Sequence, residues 1–205
     1  MEASTSSYKI ILGSSSIARR KILSEMGYEF TTMTADIDEK SIRKETPEEL
    51  VMALAEAKAE AILQRLPLDD YLKDAKPTLL ITSDQVVVYE GVIREKPSSK
   101  EEARQFLKDY SGRHAATVGS VLVTNLKTGF RKGEWDRVEI CVLQHFWLFE
   151  PSDASVDKHL CLLFFDNICI EFFLYLQLQS HVVMLHHSCF LVHSLVMTWK
   201  EELDY

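Results

Sequence analysis

Three serines followed by two arginines make up the first stretch with chemical potential. Ser14, Ser15 and Ser16 lie just ahead of Arg19 and Arg20. Ile10, Ile11 and Leu12 form a short apolar run that ends in Gly13 and reads as a buried strand. A helix follows with Ile17, Ile22, Leu23 and Met26 as its apolar side, Ser16 as its N-cap and Gly27 as its terminator. A strand that runs through small hydroxyl residues into a helix start gathers backbone N–H groups and hydroxyls at one spot. That spot attracts anions, and a guanidinium adds full charge to it. Neighbouring helical residues point about 100° apart, so one of the two arginines is expected to face the anion. The stretch is not a Walker A loop, because GxxxxGK[ST] is absent. An ordinary helix start with two solvated arginines fits the local pattern equally well.

Other candidates are single charged residues in informative places. Asp84 stands in the middle of TLLITSDQVVVY, residues 78–89, the most strand-like segment of the chain. Apolar residues on both sides of it imply a central strand covered on both faces. An aspartate there is costly unless it is paired, hydrogen-bonded or bound to a metal, and function is the favoured reading over a structural role. Asp36-Ile37-Asp38-Glu39 is an acidic turn that is either solvated or places a carboxylate over a metal. Lys58 lies beside the expected apolar stripe of a helix, where it either snorkels or reaches into a cleft. Lys96 precedes Pro97, which stiffens the backbone next to it.

The elements that must position these residues follow from caps and periodicity. Tyr28 to Thr34 alternates like a strand. Thr46 and Glu49 have capping-box spacing with Pro47 at the first helical position, and the helix is expected to run to about Arg65. Its buried stripe is expected at Leu50, Leu54, Ala57 and Ala61. Residues 67–77 read as a polar connection. Glu90-Gly91 reads as a two-residue hairpin turn into Val92-Ile93-Arg94. Ser99 and Glu102 form a second capping box for a helix carrying Ala103, Phe106, Leu107 and Tyr110 and ended by Gly112. His114 to Thr124 and Phe130 to Val142 read as antiparallel partners, with His114 a structural hydrogen-bonder at the strand entry. Strand–helix–strand–helix followed by hairpins predicts a mixed α/β sheet with a cleft rather than a doubly wound parallel fold.

Composition limits the function classes. The 205 residues suffice for one domain with a core, or for two small lobes around a cleft. A net charge of −8 argues against a general nucleic-acid-binding surface, yet a small anion answers to local cations. The N-terminal residues lack signal- and transit-peptide features, so a cytoplasmic location is expected. Cys141, Cys161, Cys169 and Cys189 form no CxxC pair, which favours buried thiols over zinc or disulfides.

With these pieces placed, the chain resembles the Maf family, also called septum-formation inhibitor-like proteins. The stretches that carry the resemblance are GSSSIARRKIL, DIDE, ALAEAKA, ITSDQVVVYEG, REKP and YSGRHAATVGSVLV, in order and spanning roughly residues 8–139. The resemblance implies a Maf/inosine-triphosphatase-like fold with a partly antiparallel sheet, flanking helices and two lobes around a cleft. It implies a hydrolase of the acid-anhydride class, a nucleotide pyrophosphatase with a house-cleaning role. Such an enzyme converts a nucleoside triphosphate to its monophosphate and pyrophosphate, with Mg²⁺ or another divalent cation such as Mn²⁺. Ser14 and Arg19 then correspond to phosphate-binding residues, and Lys58 and Lys96 to triphosphate-facing cations. Glu39 corresponds to an acidic residue that helps hold the metal. Asp84 corresponds to the acceptor that prepares water, or else to a metal ligand. Ala18 and Gln85 occupy the positions tied to substrate choice. The SDQV form is similar to the subgroup acting on 7-methyl-GTP, although Ala18 is not that subgroup's usual aromatic residue. A nucleoside triphosphate is the expected partner; a nucleic-acid polymer is not, and a homodimer stays open.

The family pattern stops near Glu139. Residues 1–140 read as the nucleotide-binding core, and 141–205 as a hydrophobic, His-, Cys- and Phe-rich tail without glycine. The tail reads as the product of an alternative transcript. The second reading of the chain is therefore a catalytically impaired form that binds nucleotide or partners an intact subunit. Phe172 to Trp199 contains no Asp, Glu, Lys or Arg, but its histidines and glutamines make a membrane span the lesser reading.

Overall fold

The computed structural model describes residues 7–141. Apart from its first residue, Cys141, the proposed 141–205 unit lies outside the described residues, as do the uncharged Phe172–Trp199 run and Cys161, Cys169 and Cys189. Six strands form one mixed sheet: β1 (Lys9–Leu12), β2 (Thr31–Thr32), β3 (Thr78–Tyr89), β4 (Val92–Arg94), β5 (His114–Asn125) and β6 (Arg131–Cys141). The order is β2-β1-β3-β5-β6, with β4 added to β3. β1 runs parallel to β2 and β3, whereas β3–β4, β3–β5 and β5–β6 are antiparallel. The expected mixed sheet with flanking helices is observed. The two-lobed division is not evident among the described residues, which share the single sheet.

Four helices accompany the strands: α1 (Ile17–Glu25), α2 (Pro47–Leu63), α3 (Leu68–Lys73) and α4 (Lys100–Tyr110). α2 packs on one face of the sheet. Its Ala55, Ala59 and Ile62 meet Ile11, Leu80 and Leu122, and its Leu50, Val51 and Leu54 meet Val86, Val88 and Val118. The other face is covered in two parts. Leu23 of α1 packs on Ile10, Leu12, Leu79 and Ile81, while Tyr110 and Phe106 of α4 pack on Val87, Tyr89 and Ala115. Successive residues of β3 thus serve opposite faces, as a strand requires. None of the described helices is long and apolar enough to cross a membrane.

Several local expectations shift. β2 is only two residues long rather than spanning 28–34. The 67–77 connection contains α3, whose first turn carries Asp69 and Asp70 where the helix dipole favours negative charge. α2 ends at Leu63, and its buried face is Leu50, Val51, Leu54, Ala55, Lys58, Ala59 and Ile62. The apolar stripe is rotated by one residue from the expected one, leaving Ala57 and Ala61 half-buried and putting Lys58 on the stripe itself. Ile17 is 69% exposed, and Ala18 is buried in its place. His114 is exposed. The Glu90-Gly91 turn has φ of 49° and 78°, both positive as a type I′ hairpin demands.

One feature of the ladder matters for the site. Along one edge of β3, β1 pairs through Leu12↔Ile81 and β4 resumes at Arg94↔Val87. Residues 82–86 therefore face neither strand on that edge, a stretch of roughly 16 Å at the usual strand rise. Asp84 is at the centre of this break.

Candidate functional site

The turn after β1 is held tightly against β3. Gly13 donates its N–H to the Ile81 carbonyl at 2.7 Å, and a Cβ there would lie 2.6 Å from Thr82 Cγ2 and 2.7 Å from Ile62 Cδ1. Only glycine lets the chain pass this close before it opens into the serines. Ser14 and Ser16 are buried. The Ser16 N–H donates to Ser14 Oγ at 3.1 Å, and Ser16 Oγ caps α1 by accepting from the Arg19 N–H at 3.3 Å. The two arginines diverge. Arg19 reaches back to Ser14 Oγ at 3.4 Å, whereas Arg20 donates to the carbonyls of Ser15 (2.9 Å) and Ser16 (3.3 Å). Arg20 braces the turn; Arg19 stands over its hydroxyl.

α2 is fixed to the sheet by polar contacts at regular helical spacing. Thr82 Oγ1 donates to the Ala55 carbonyl and Ser120 Oγ to the Val51 carbonyl, each at 2.8 Å. Ser120 is the β5 partner of Asp84, and its Oγ also accepts the Asp84 backbone N–H at 3.4 Å. One helical turn beyond Ala55, Lys58 Nζ donates to Asp84 Oδ1 and, at 2.9 Å, to Glu39 Oε1. The Lys58 and Asp84 side chains are each 11% exposed, Glu39 51%. Glu39 opens a single 3₁₀ turn, Glu39–Ser41, capped by Asp38, whose carboxylate accepts the Lys40 N–H.

Burial pushes the Asp84 carboxyl above the usual aspartate range. Lys58 and then Arg19 oppose that rise, and the Glu39 charge adds to it. The influence of Arg19 on Asp84 links the serine turn to the carboxylate pair. Ser14, Arg19, Glu39, Lys58 and Asp84 therefore form one neighbourhood. Lys96 is exposed beyond the end of β4, and the adjacent Glu95 pairs with Arg43 at 3.2 Å, joining its segment to the Glu39 turn. The root of that segment is held by Arg94. Its guanidinium lies 4.5–5.2 Å from the ring centroids of Tyr89, Phe106 and Tyr110 and donates to Asp109 at 2.7 Å.

Ala18 and Gln85 lie elsewhere. Asp84 shares the α2 face of β3, so Gln85, half-buried, belongs to the face covered by α1 and α4. Ala18 is buried on α1, the helix of that same face. Thr82 and Ser120 escaped the sequence reading. Their trace is a pair of hydroxyl residues inside aliphatic strands, one of them at i−2 from Asp84.

Two carboxylates aimed at one cationic nitrogen form an oxygen donor set suited to a hard divalent cation. Among the described residues no cluster of three or more His, Cys, Asp or Glu side chains could hold a metal ion. A cation at Glu39 and Asp84 would thus draw its other ligands from water or a bound anion, as Mg²⁺ does at phosphate sites.

Residues 9–160 match the family described as Maf-like protein. The chain is 47% identical over 149 residues to a 7-methyl-GTP pyrophosphatase of Dictyostelium discoideum, covering 73% of this chain and 72% of the relative. It is 37% identical over 116 residues to the 7-methyl-GTP pyrophosphatase of Idiomarina loihiensis, covering 57% of this chain and 55% of the relative. Identity to the dTTP/UTP pyrophosphatase of Clostridium acetobutylicum is 34% over 120 residues, 58% of this chain and 60% of that protein. For the last two, the match spans less than two thirds of the relative.

Proposed function

The chain belongs to the Maf-like protein family, and from that premise we propose that it hydrolyses a nucleoside triphosphate to the monophosphate and pyrophosphate. The observation that carries this reading is the convergence of Lys58, Asp84 and Glu39 beside the Ser14–Arg19 turn. A triphosphate carries about four negative charges, and water cannot approach its phosphorus until cations offset them. Ser14 and the helix start would bind phosphate oxygens, with Arg19, Lys58 and Lys96 supplying charge. Asp84 would orient a water molecule and accept its proton as the oxygen attacks the α-phosphorus. The α–β anhydride bond breaks and pyrophosphate departs. Glu39 and Asp84 would hold Mg²⁺ or Mn²⁺, whose contribution when bound is neutralisation of phosphate charge.

Among nucleotides, a 7-methylated guanosine triphosphate is the preferred candidate. The support is the Gln85 position together with the likeness to the Dictyostelium 7-methyl-GTP pyrophosphatase. A nucleotide reaching Asp84 on one face and Gln85 on the other would lie across the open edge of β3. The relatives named here are pyrophosphatases; neither they nor the site favours the non-catalytic alternative.

The test is pyrophosphate release from a panel holding 7-methyl-GTP, GTP, dTTP and UTP, each with Mg²⁺ or Mn²⁺. Release from 7-methyl-GTP at the highest kcat/KM is expected. No release from any of them would refute the activity, and dTTP or UTP in first place would refute the substrate assignment.

A further inference from the structure

Lys58 occupies the place where the two carboxylates meet. Its ammonium donates to Glu39 Oε1 at 2.9 Å and to Asp84 Oδ1. The divalent cation proposed above would be held by these same two carboxylates, and the present inference rests on that reading. An ammonium stands about 2.8 Å from each acceptor, and Mg²⁺ requires about 2.1 Å. Both cannot occupy one pair of oxygens, since a +2 ion beside a buried +1 group meets strong repulsion in a site of low dielectric. One of them has to leave. α2 itself is anchored to the sheet by Thr82 and Ser120 through the Ala55 and Val51 carbonyls, one and two turns before Lys58, so the movable part is the four-carbon stem of Lys58.

We propose that Lys58 is the resident counter-ion of the Glu39–Asp84 pair, that it keeps free divalent cations out, and that the substrate this site accepts is the metal–nucleotide chelate. The charge balance explains why. A free ion entering alone would strand the Lys58 ammonium in a buried position with no anion opposite it. A chelate would bring its own phosphate oxygens, so the Lys58 ammonium would gain a phosphate partner in place of the carboxylates, and Glu39 and Asp84 would be free to hold the metal. Arg19, standing over Ser14 and acting on Asp84, marks the side from which those phosphates arrive. Lys58 is thus a selectivity residue for the form in which the cation is delivered.

The opposite role would have Lys58 merely hold Glu39 over Asp84 and so prepare the metal site. The two roles differ in sign when the ammonium is removed. Mn²⁺ is titrated into nucleotide-free protein of full length by calorimetry, with electron paramagnetic resonance as an independent count of bound ion. Lys58→Met keeps the apolar stem. It is expected to bind free Mn²⁺ at least tenfold more tightly than the wild type; equal or weaker binding overturns the proposal. Should the variant fail to fold, the wild-type protein decides by mass spectrometry of acetylation at Lys58. Labelling several-fold faster at saturating Mn²⁺ supports displacement, and unchanged labelling with Mn²⁺ bound refutes it. Asp84→Asn separates the two layers of the argument. If Asp84→Asn combined with Lys58→Met binds Mn²⁺ as tightly as Lys58→Met alone, the carboxylate site is wrong and the counter-ion role falls with it. If Asp84→Asn loses binding while Lys58→Met leaves it unchanged, only the counter-ion role falls.

Discussion

Substituting Gly13 by alanine tests whether the serine turn is positioned by close packing. The new Cβ would lie 2.6 Å from Thr82 Cγ2, 2.7 Å from Ile62 Cδ1 and 3.2 Å from the Ile81 carbonyl oxygen. Carbon atoms prefer about 3.5–4.0 Å, so the overlap is close to 1 Å on two sides. Ile62 could turn its terminal methyl away. Thr82 cannot rotate without breaking its hydrogen bond to the Ala55 carbonyl, and the Gly13 N–H is bound to Ile81. The turn must therefore lift away from β3, or α2 must move outward. Overpacking of this kind costs about 2 kcal/mol, which for a chain of 205 residues lowers Tm by about 6 °C. Either movement displaces Ser14 or Lys58, so KM for the nucleotide should rise at least tenfold. Gly27→Ala is the control, because its φ is +81° and no atom lies within 4 Å of the added Cβ. Strain there should cost about 1 kcal/mol without changing KM. Differential scanning calorimetry and steady-state kinetics on both variants decide. An unchanged Tm and KM for Gly13→Ala would refute the packing argument, and equal KM effects in the two variants would remove its link to the site.

The arginines should separate by function. Arg19→Ala is expected to raise KM for the nucleotide at least tenfold, and Arg20→Ala, which loses two carbonyl contacts in the turn, to act mainly on Tm; the reverse ranking would contradict the assignment. In metal-free protein the Asp84 carboxyl should titrate above the ordinary aspartate value of about 3.9, which carbon NMR of the side chain can read. The sign for stability follows from the tighter proton binding of the folded form. The contribution of Asp84 is greatest at low pH and is lost as pH rises through its folded pKa. A titration at or below the ordinary value would show that Lys58 and Arg19 outweigh burial.

Much of the frame was legible because local chemistry and tertiary structure agree. Both capping helices start where Thr46 and Ser99 place them, and the 78–89 run is one strand covered on both faces. The Glu90-Gly91 hairpin follows from its turn residues. The failures are equally physical. Two turns of alternation at Tyr28–Thr34 do not make a strand when only Thr31 and Thr32 find β1 as a partner. The stripe of α2 could be read one residue off because alanines fill several of its positions. They mark no face by size, and the sheet selected the face that contains Lys58. The ion pair of Lys58 with Asp84 joins residues 26 positions apart, and the Glu95–Arg43 link arises only where loops meet. Strand parity also places Gln85 opposite Asp84 with certainty once the strand is fixed. What no local pattern contained is the break in pairing between β1 and β4, which is a property of how those two strands share one edge of β3.

Hydrolysis in ¹⁸O-labelled water reports directly on which phosphorus the Asp84-bound water attacks. Mass spectrometry of the products should find one labelled oxygen in the nucleoside monophosphate and none in pyrophosphate, with Asp84→Asn slowing its appearance by at least 10²-fold. Label in pyrophosphate, or an Asp84→Asn variant as fast as the wild type, would contradict attack at the α-phosphorus by water oriented on Asp84.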